Sequence, residues 1–407
     1  MLEFLNNPIV AGVIKSAIVI FALLTAFAYM TLIERRVVAK MQGRLGPNRA
    51  GPAGMFQPVA DALKMAFKEQ IVPSQAKKAI YLVAPIISVV VALCAFAVVP
   101  IGNSWVNGKP GVWDPIIGDI NVGLLWILSI SSLAVYGIVL GGWASGNRYS
   151  LLGSLRSAAQ MVSYETSLGL ALSGTLMWAG TLSMVGIVQA QLHQGIWFIA
   201  AQPLGFCLYL IAGVAEVNRA PFDLPEAEQE LTAGYLTEYS GLRWSLYQMA
   251  EYINMITVSS VAATLFFGGW GFFGFGLERI PGLSILIYLV KVAVFLFLFI
   301  WLRATLPRIR YDRLMRFGWQ LLLPLAVLNA IITATVVALG WPWWVSGLAG
   351  LVIIVAVLLY ERRKGAERQS EVIMKEVEGT KKMMIPTSVR LAKFEKVESE
   401  PSAPVRG

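Results

Sequence analysis

The sequence has few of the residues that bind redox metals, and it carries little charge. Its 407 residues include one histidine and two cysteines, and only 14% are charged. One imidazole and two thiols fall short of the usual ligand sets of iron–sulfur clusters and haem. Neither the dinucleotide-binding glycine motif in a βαβ setting nor the P-loop motif occurs. We therefore expect no redox cofactor bound by this chain, and any electrons would come from a partner.

The positive charge is distributed as in a membrane protein. The formal net charge is +9, which by itself could indicate a nucleic-acid partner. However, 29 of the 33 lysines and arginines fall in five stretches, 34–78, 143–157, 216–244, 303–320 and 361–407. These stretches would share one side of a membrane if the apolar segments between them alternate across it. We therefore expect no nucleic-acid partner. Cys94 and Cys207 lie inside apolar runs, so no disulfide framework is expected.

Long apolar runs define the expected fold class. A membrane-spanning helix needs about 20 apolar residues. Runs of about that length occur near 9–33, 79–101, 122–144, 157–180, 197–215, 244–269, 284–305, 321–340 and 342–360. The sequence predicts an all-α polytopic membrane protein with about nine transmembrane helices, its N-terminus outside and its C-terminus inside. We expect a transmembrane domain over 1–360 and a partly disordered cytoplasmic tail over 361–407.

The most acidic segment outside that tail lies between two apolar runs, at 216–239. It holds six carboxylates and one cation, Arg219. A soluble loop would solvate these groups, whereas a loop between membrane helices must line a wet cavity or meet cations from elsewhere. Two interpretations therefore stand, a solvated acidic loop and a cluster of titratable groups.

Three separated motifs carry a resemblance to a known family. They are EVNRAPFDLPEAEQELTAGYLTEYSG at 216–241, ERRVVAKMQGRLGPNRAGPAGMFQPVADALK at 34–64 and LRATLPRIRYDRLMRFGWQLLLP at 302–324. The sequence resembles the quinone-site membrane subunit of respiratory complex I, the H subunit family of NADH–quinone oxidoreductases, over about residues 5–340. The resemblance implies a translocase subunit of the bacterial inner membrane that forms much of a quinone chamber and couples quinone reduction to proton translocation.

The resemblance also implies what surrounds the chain. Quinone, ubiquinone or menaquinone, would be the substrate. NADH, FMN and iron–sulfur clusters would belong to partner subunits. Those partners would be the soluble quinone-site and iron–sulfur subunits and the small membrane subunits of the arm, with lipid around them. Two alternatives remain: a homologous subunit of a membrane-bound hydrogenase or of a ferredoxin- or F420-linked complex, and, from another class, a stand-alone ion transporter.

Carboxylates inside predicted spans are the first candidate site residues. An ionisable group at a helix centre costs about 2.5–3.5 kcal/mol on insertion scales, so each one indicates a function or a buried partner. Glu165 and Glu251 lie within spans and Glu216 ends one. They form either a proton path or three separate packing carboxylates. The resemblance favours the path, together with the loop residues Asp223, Glu226, Glu228 and Glu230.

The second set of candidates would line the quinone chamber. The spacing of apolar and polar residues after Gln57 predicts an amphipathic helix at the membrane surface, and the resemblance makes it a chamber wall. Arg303 ends a long apolar helix and therefore needs a carboxylate, which we expect the acidic loop to supply. The full set is Arg35, Arg36, Gln42, Arg44, Phe56, Asp61, Lys64, Arg219, Phe222 and Arg303.

Overall fold

The regular secondary structure of the residues that the structure describes is helical throughout, without strands. That structure is a computed structural model, which describes residues 8–103, 114–223, 233–272 and 282–383. Its α-helices are α1 (Pro8–Met41), α2 (Gln57–Phe67), α3 (Lys78–Phe96), α4 (Gly123–Ala144), α5 (Arg148–Ala179), α6 (Met184–Gln194), α7 (Phe198–Ala201), α8 (Pro203–Glu216), α9 (Gly241–Phe266), α10 (Leu283–Thr305), α11 (Tyr311–Phe317), α12 (Leu323–Ala338) and α13 (Trp343–Met383). A π-helical segment, Gly318–Leu322, joins α11 to α12.

The helices long and apolar enough to cross a membrane agree with the expected fold class. Seven are found within the described residues, and α5 with α6 form an eighth if that bent pair is one span. The predicted span at 197–215 corresponds to the shorter apolar helix α8, of 14 residues. It is shorter than predicted because the chain breaks at Gln202 and Pro203 begins a new helix.

The bend between α5 and α6 has a local cause. Gly180 ends α5 in a left-handed conformation with φ of 66°, a backbone that glycine adopts without a steric penalty. Ser183 then begins α6, because its side chain accepts a hydrogen bond from the backbone N–H of Gly186 at 3.1 Å. The two helices are inclined at 55°. The sequence thus encodes a C-cap and an N-cap within four residues.

The first large loop contains the helix that the sequence predicts after Gln57. Residues 42–56 contain one short turn of 3₁₀ helix, Pro52–Gly54, and the helix α2 follows. The apolar side chains of α2 face outward: Val59 is 55%, Leu63 54% and Phe67 87% exposed. An exposed apolar face of this kind fits a helix that lies on a membrane surface or under a partner.

Helix α5 is the central element of the packing. It contacts α4, α8 and α12, and much of its buried surface consists of small or polar side chains such as Ser154 and Ser157. Close approach is visible at Gly153, where a Cβ would lie 2.7 Å from the Cα of Gly234. Small residues let helices approach closely in a membrane, and α5 is thereby brought next to the later part of the acidic segment.

The chain divides into two compact units, Met1–Gly350 and Leu351–Gly407. Every cavity and ion pair described below lies in the first unit. The second contains the later residues of α13, and residues 384–407 lie outside the described part of the chain. The expected domain boundary at residue 360 and the disorder of the tail stay predictions.

Candidate functional site

A charged cavity of about 640 Å³ lies among α1, α9 and α10. Ligand cavities in proteins typically measure about 300–1,000 Å³, so this one has room for a small organic molecule. Its walls are both charged and apolar, and they comprise Glu34, Arg35, Val38, Gln42, Arg44, Pro47, Arg219, Ala233, Leu236, Trp244, Gln248, Tyr252, Arg303 and Ala304.

Glu34 is the carboxylate at the centre of the cavity wall. It is 5% exposed. Arg303 donates a hydrogen bond to Glu34 Oε1, and Arg219 Nη1 lies 3.2 Å from the same oxygen. The Tyr252 hydroxyl donates to the other oxygen, Oε2, at 2.7 Å. One buried carboxylate therefore holds two guanidinium groups and a tyrosine from three different segments.

Arg219 connects this cavity wall to the interior of the bundle. Its Nε lies 2.7 Å from Glu251 Oε1, and its guanidinium stacks over the Tyr252 ring at 4.1 Å. Burial by itself would lower the pKa of Arg219, but Glu251, Tyr252 and Glu34 together raise it above its ordinary value. Arg219 therefore carries a positive charge that is shared between two carboxylates.

Two small voids lie beyond this ion pair. Each measures about 40 Å³, and Glu216 lines both. Glu251 lines one of them together with Asn254. A void needs about 10–15 Å³ of accessible volume to hold one water molecule, so each of these voids has room for two or three water molecules. The voids therefore join Glu251 to Glu216 through space that water can fill.

Glu216 in turn approaches Glu165. The Glu216 side chain hydrogen-bonds with Ser131 and interacts electrostatically with Glu165. Glu165 accepts a hydrogen bond from the hydroxyl of Ser132. The order from the cavity inward is thus Glu34, Arg219, Glu251, Glu216 and Glu165. The structure brings together the three intramembrane carboxylates singled out in the sequence.

The predicted chamber residues divide into those that line the cavity and those that do not. Its lining includes Arg35, Gln42, Arg44, Arg219 and Arg303. Asp61 lies next to it, because Arg35 Nη1 donates to its carboxylate at 2.7 Å. The remaining four, which do not line this cavity, are Arg36, Phe56, Lys64 and Phe222.

The acidic loop is only partly described. Asp223 lies at its described edge and is half-buried, whereas the predicted residues Glu226, Glu228 and Glu230 lie outside the described residues. Phe222 is buried, with its ring 6.0 Å from that of Tyr164. The roles assigned to these residues stay predictions.

Among the described residues, the partner of Arg303 comes from a segment that the sequence analysis did not consider as its source. The sequence required a carboxylate for Arg303, and Glu34 of α1 supplies one. Whether the acidic loop supplies another stays a prediction, because Glu226, Glu228 and Glu230 lie outside the described residues. The same argument applied to the end of α1 would have singled out Glu34, an acid that follows a long apolar run. Trp244, Gln248 and Tyr252, spaced at four-residue intervals on α9, were also missed, although that spacing places them on one helix face.

The chain is similar in sequence to known proteins over most of its length. A protein family described as NADH dehydrogenase matches residues 14–334. The H subunit of the NADH-quinone oxidoreductase of Deinococcus deserti is 52% identical over 351 residues, which cover 85% of this chain and 89% of that protein. Subunit 8 of the NADH-quinone oxidoreductase of Thermus thermophilus is 50% identical over 86% of this chain and 95% of that protein. The chain therefore belongs to the NADH dehydrogenase family, with the H subunits of the NADH–quinone oxidoreductase complex as its relatives.

Proposed function

We propose that this chain is the membrane subunit that contains the quinone chamber of a proton-translocating NADH–quinone oxidoreductase and couples quinone reduction to proton movement. The observation that carries the proposal is the position of Arg219. It pairs with Glu34 on the wall of the 640 Å³ cavity and with Glu251 on the wall of an inner void. A charge that appears in the cavity thus acts on a carboxylate outside it.

The cavity suits the chemistry of a quinone headgroup. Reduction of a quinone to a quinol takes up two electrons and two protons, and negative charge develops on the headgroup oxygens in between. Arg219 and Arg303 would stabilise that charge, because preorganised cations act strongly where water is excluded. Trp244 and Gln248 offer an aromatic surface and a hydrogen-bonding amide in the same cavity. The isoprenoid tail would leave along apolar side chains toward the bilayer.

Coupling follows from competition for Arg219. An anionic headgroup would draw the guanidinium toward the cavity and weaken its pair with Glu251. Loss of that cation makes it more favourable for Glu251 to bind a proton. The nearest source of that proton is the void that Glu251 shares with Glu216, and Glu165 lies beyond Glu216. Return of Arg219 after quinol forms would release the proton, so electron transfer and proton movement share one step.

The proposal places the remaining components on partners. NADH, FMN and iron–sulfur clusters would be bound by soluble subunits, and small membrane subunits would cover part of the bundle. The exposed face of α2 would lie at the membrane surface or against such a partner. The chain would span the bacterial inner membrane with its N-terminus outside and its C-terminus in the cytoplasm, which fits the positions of its basic stretches.

Co-purification tests this function. A tagged chain should bring down soluble subunits that carry flavin and iron–sulfur clusters, and the purified assembly should reduce quinone with NADH. The chain purified alone should not oxidise NADH. Recovery of a hydrogenase module, or reduction by ferredoxin or F420 in place of NADH, would instead favour the related complexes. A chain that moves ions by itself would favour a stand-alone transporter.

A further inference from the structure

A second surface cavity lies away from the charged chamber. It measures about 350 Å³ and is lined by residues of three segments that the charge distribution assigns to the same side of the membrane: Pro73, Ser74, Gln75, Ser145, Gly146, Asn147, Arg148, Tyr149 and Glu238. Asn147 Nδ2 donates to the Glu238 carboxylate at 2.7 Å. The cavity therefore has a titratable group and a serine hydroxyl on its wall.

Buried hydroxyls lead inward from this cavity. The Ser145 hydroxyl lies 3.0 Å from the backbone oxygen of Gly141, and the Tyr239 hydroxyl lies 3.4 Å from the same oxygen. Tyr239 is 5% and Ser145 2% exposed. Tyr81 stacks on the Tyr239 ring, with centroids 4.3 Å apart, and holds it in place. Two hydroxyls from different segments thus meet at one carbonyl.

The next hydroxyl reaches the inner void. The Tyr239 and Tyr247 rings pack edge to face with their centroids 5.0 Å apart, and the Tyr247 hydroxyl donates to the backbone oxygen of Gly137 at 3.1 Å. Tyr247 lines the same void as Glu216 and Glu251. The close approach depends on Gly141, where a Cβ would lie 2.1 Å from the Tyr247 hydroxyl oxygen.

We propose that Ser145, Tyr239 and Tyr247 form a proton-entry route from the cavity at Glu238 to the void lined by Glu251 and Glu216. The inference rests on the proposed function, since those carboxylates must take up protons. A hydroxyl both donates and accepts. Each hydroxyl accepts a proton on its oxygen, directly or through a bridging water molecule, and gives its own proton to the next group. The Gly141 and Gly137 carbonyls orient the hydroxyls and pass no proton, so no net charge stays on the route and no electrons move.

A separate proton route is needed because a bound quinone would occupy the charged chamber. A bound quinone fills that chamber and displaces its water, so protons for Glu251 would have to pass the headgroup. Protons that enter along Tyr239 and Tyr247 do not have to pass the headgroup. The charged groups along the route are Glu238 and Arg148 at the surface cavity, Arg243, which lies 5.4 Å from the Tyr81 ring, and Glu251 and Glu216 at the inner end.

The test replaces tyrosines by phenylalanine, which removes the hydroxyl and keeps the ring. Activities are measured on the assembled complex in membrane vesicles. Tyr239→Phe and Tyr247→Phe are combined, and Tyr288→Phe, a buried tyrosine on α10 away from the route, is the control. We expect quinone-dependent NADH oxidation to fall about tenfold at about pH 8, less than the roughly 100-fold of a direct acid–base group, because water still fills part of the gap. The deficit should shrink toward about pH 6, and the solvent deuterium isotope effect should rise.

Several outcomes would overturn the route. Full coupled activity in the double variant would overturn it. An equal loss of activity at every pH, with an unchanged isotope effect, would also overturn it, because that result indicates that the tyrosines have only a packing role. If the double variant does not assemble, Ser145→Ala at the surface end provides the same test, with an unchanged pH profile as the contrary result. Glu216→Gln separates the two ideas: full activity there removes the proposed coupling itself, whereas loss there with active tyrosine variants removes only this route.

Discussion

The carboxylates of the charged cavity and those of the inner voids have different surroundings. Glu34 and Glu251 are each bonded to Arg219, and Arg303 adds a second cation at Glu34. Glu216 instead has Ser131 and another carboxylate, Glu165, as neighbours. A guanidinium beside a carboxylate favours its charged form for as long as the pair persists, whereas a second carboxylate nearby disfavours that form. Under the proposed function, Arg219 and Glu34 would respond to charge in the cavity, Glu251 would take up a proton when its pair with Arg219 weakens, and Glu216 and Glu165 would transfer it.

Removing Arg219 should have the largest effect, because it breaks the contact between the two regions. Arg219→Ala leaves Glu34 and Glu251 without their shared cation, and breaking a buried pair costs about 3–5 kcal/mol. We expect little assembled complex, measured as quinone-independent NADH oxidation per amount of membrane. Arg316→Ala, at an exposed arginine, is the matched control. Normal assembly of Arg219→Ala would mean that the two regions are independent.

Glu216→Gln should separate activity from assembly. Glutamine keeps the shape and most hydrogen bonds but cannot carry a titratable proton. The complex should assemble normally, and quinone-dependent NADH oxidation and proton uptake should fall together by about 100-fold, as for a positioned acid–base group. Glu216→Asp should retain part of the activity because the carboxylate survives.

Glu238→Gln is the control for this variant, and we expect a milder loss, because Glu238 lies at the surface cavity rather than between the voids. Vesicle activities are compared after normalisation to assembled complex. Full coupled activity in Glu216→Gln would return the inner carboxylates to a packing role.

Arg303→Ala should have an intermediate effect. Its partner Glu34 is buried, but the Arg303 side chain is 41% exposed, so solvent screens part of the interaction. We expect about 1–2 kcal/mol of lost stability, between the values for surface and buried pairs, and a raised KM for quinone. Thermal inactivation and quinone titration measure the two effects. Equal small changes in Arg303→Ala and Arg316→Ala would identify both as ordinary surface charges.

The sequence predicted the spans well because membrane insertion depends on local apolar length, as for α3, α4 and α10. It also predicted that Arg303 requires a carboxylate. It did not identify which one, because Glu34 lies 269 residues away and nothing in local spacing specifies a partner at that distance. The sequence singled out Glu251, Glu216 and Glu165 as a set but did not predict their order in space. The arrangement of these three carboxylates depends on how α5, α8 and α9 pack, and hydropathy alone does not predict that packing.

The smallest expected effect concerns the rim of the charged cavity, at the pair of Arg35 and Asp61. The side chains are 54% and 32% exposed and 2.7 Å apart, and an exposed pair is worth about 0–1 kcal/mol. Asp61→Asn keeps an oxygen that can still accept from Arg35. We therefore expect less than about 1 kcal/mol of lost stability, decreasing further in high salt. Quinone KM is the more sensitive measurement, because the sequence predicts that Asp61 belongs to the chamber. An unchanged KM would limit Asp61 to holding α2 against α1, whereas a rise with unchanged stability would extend the chamber beyond its observed walls to the polar face of α2.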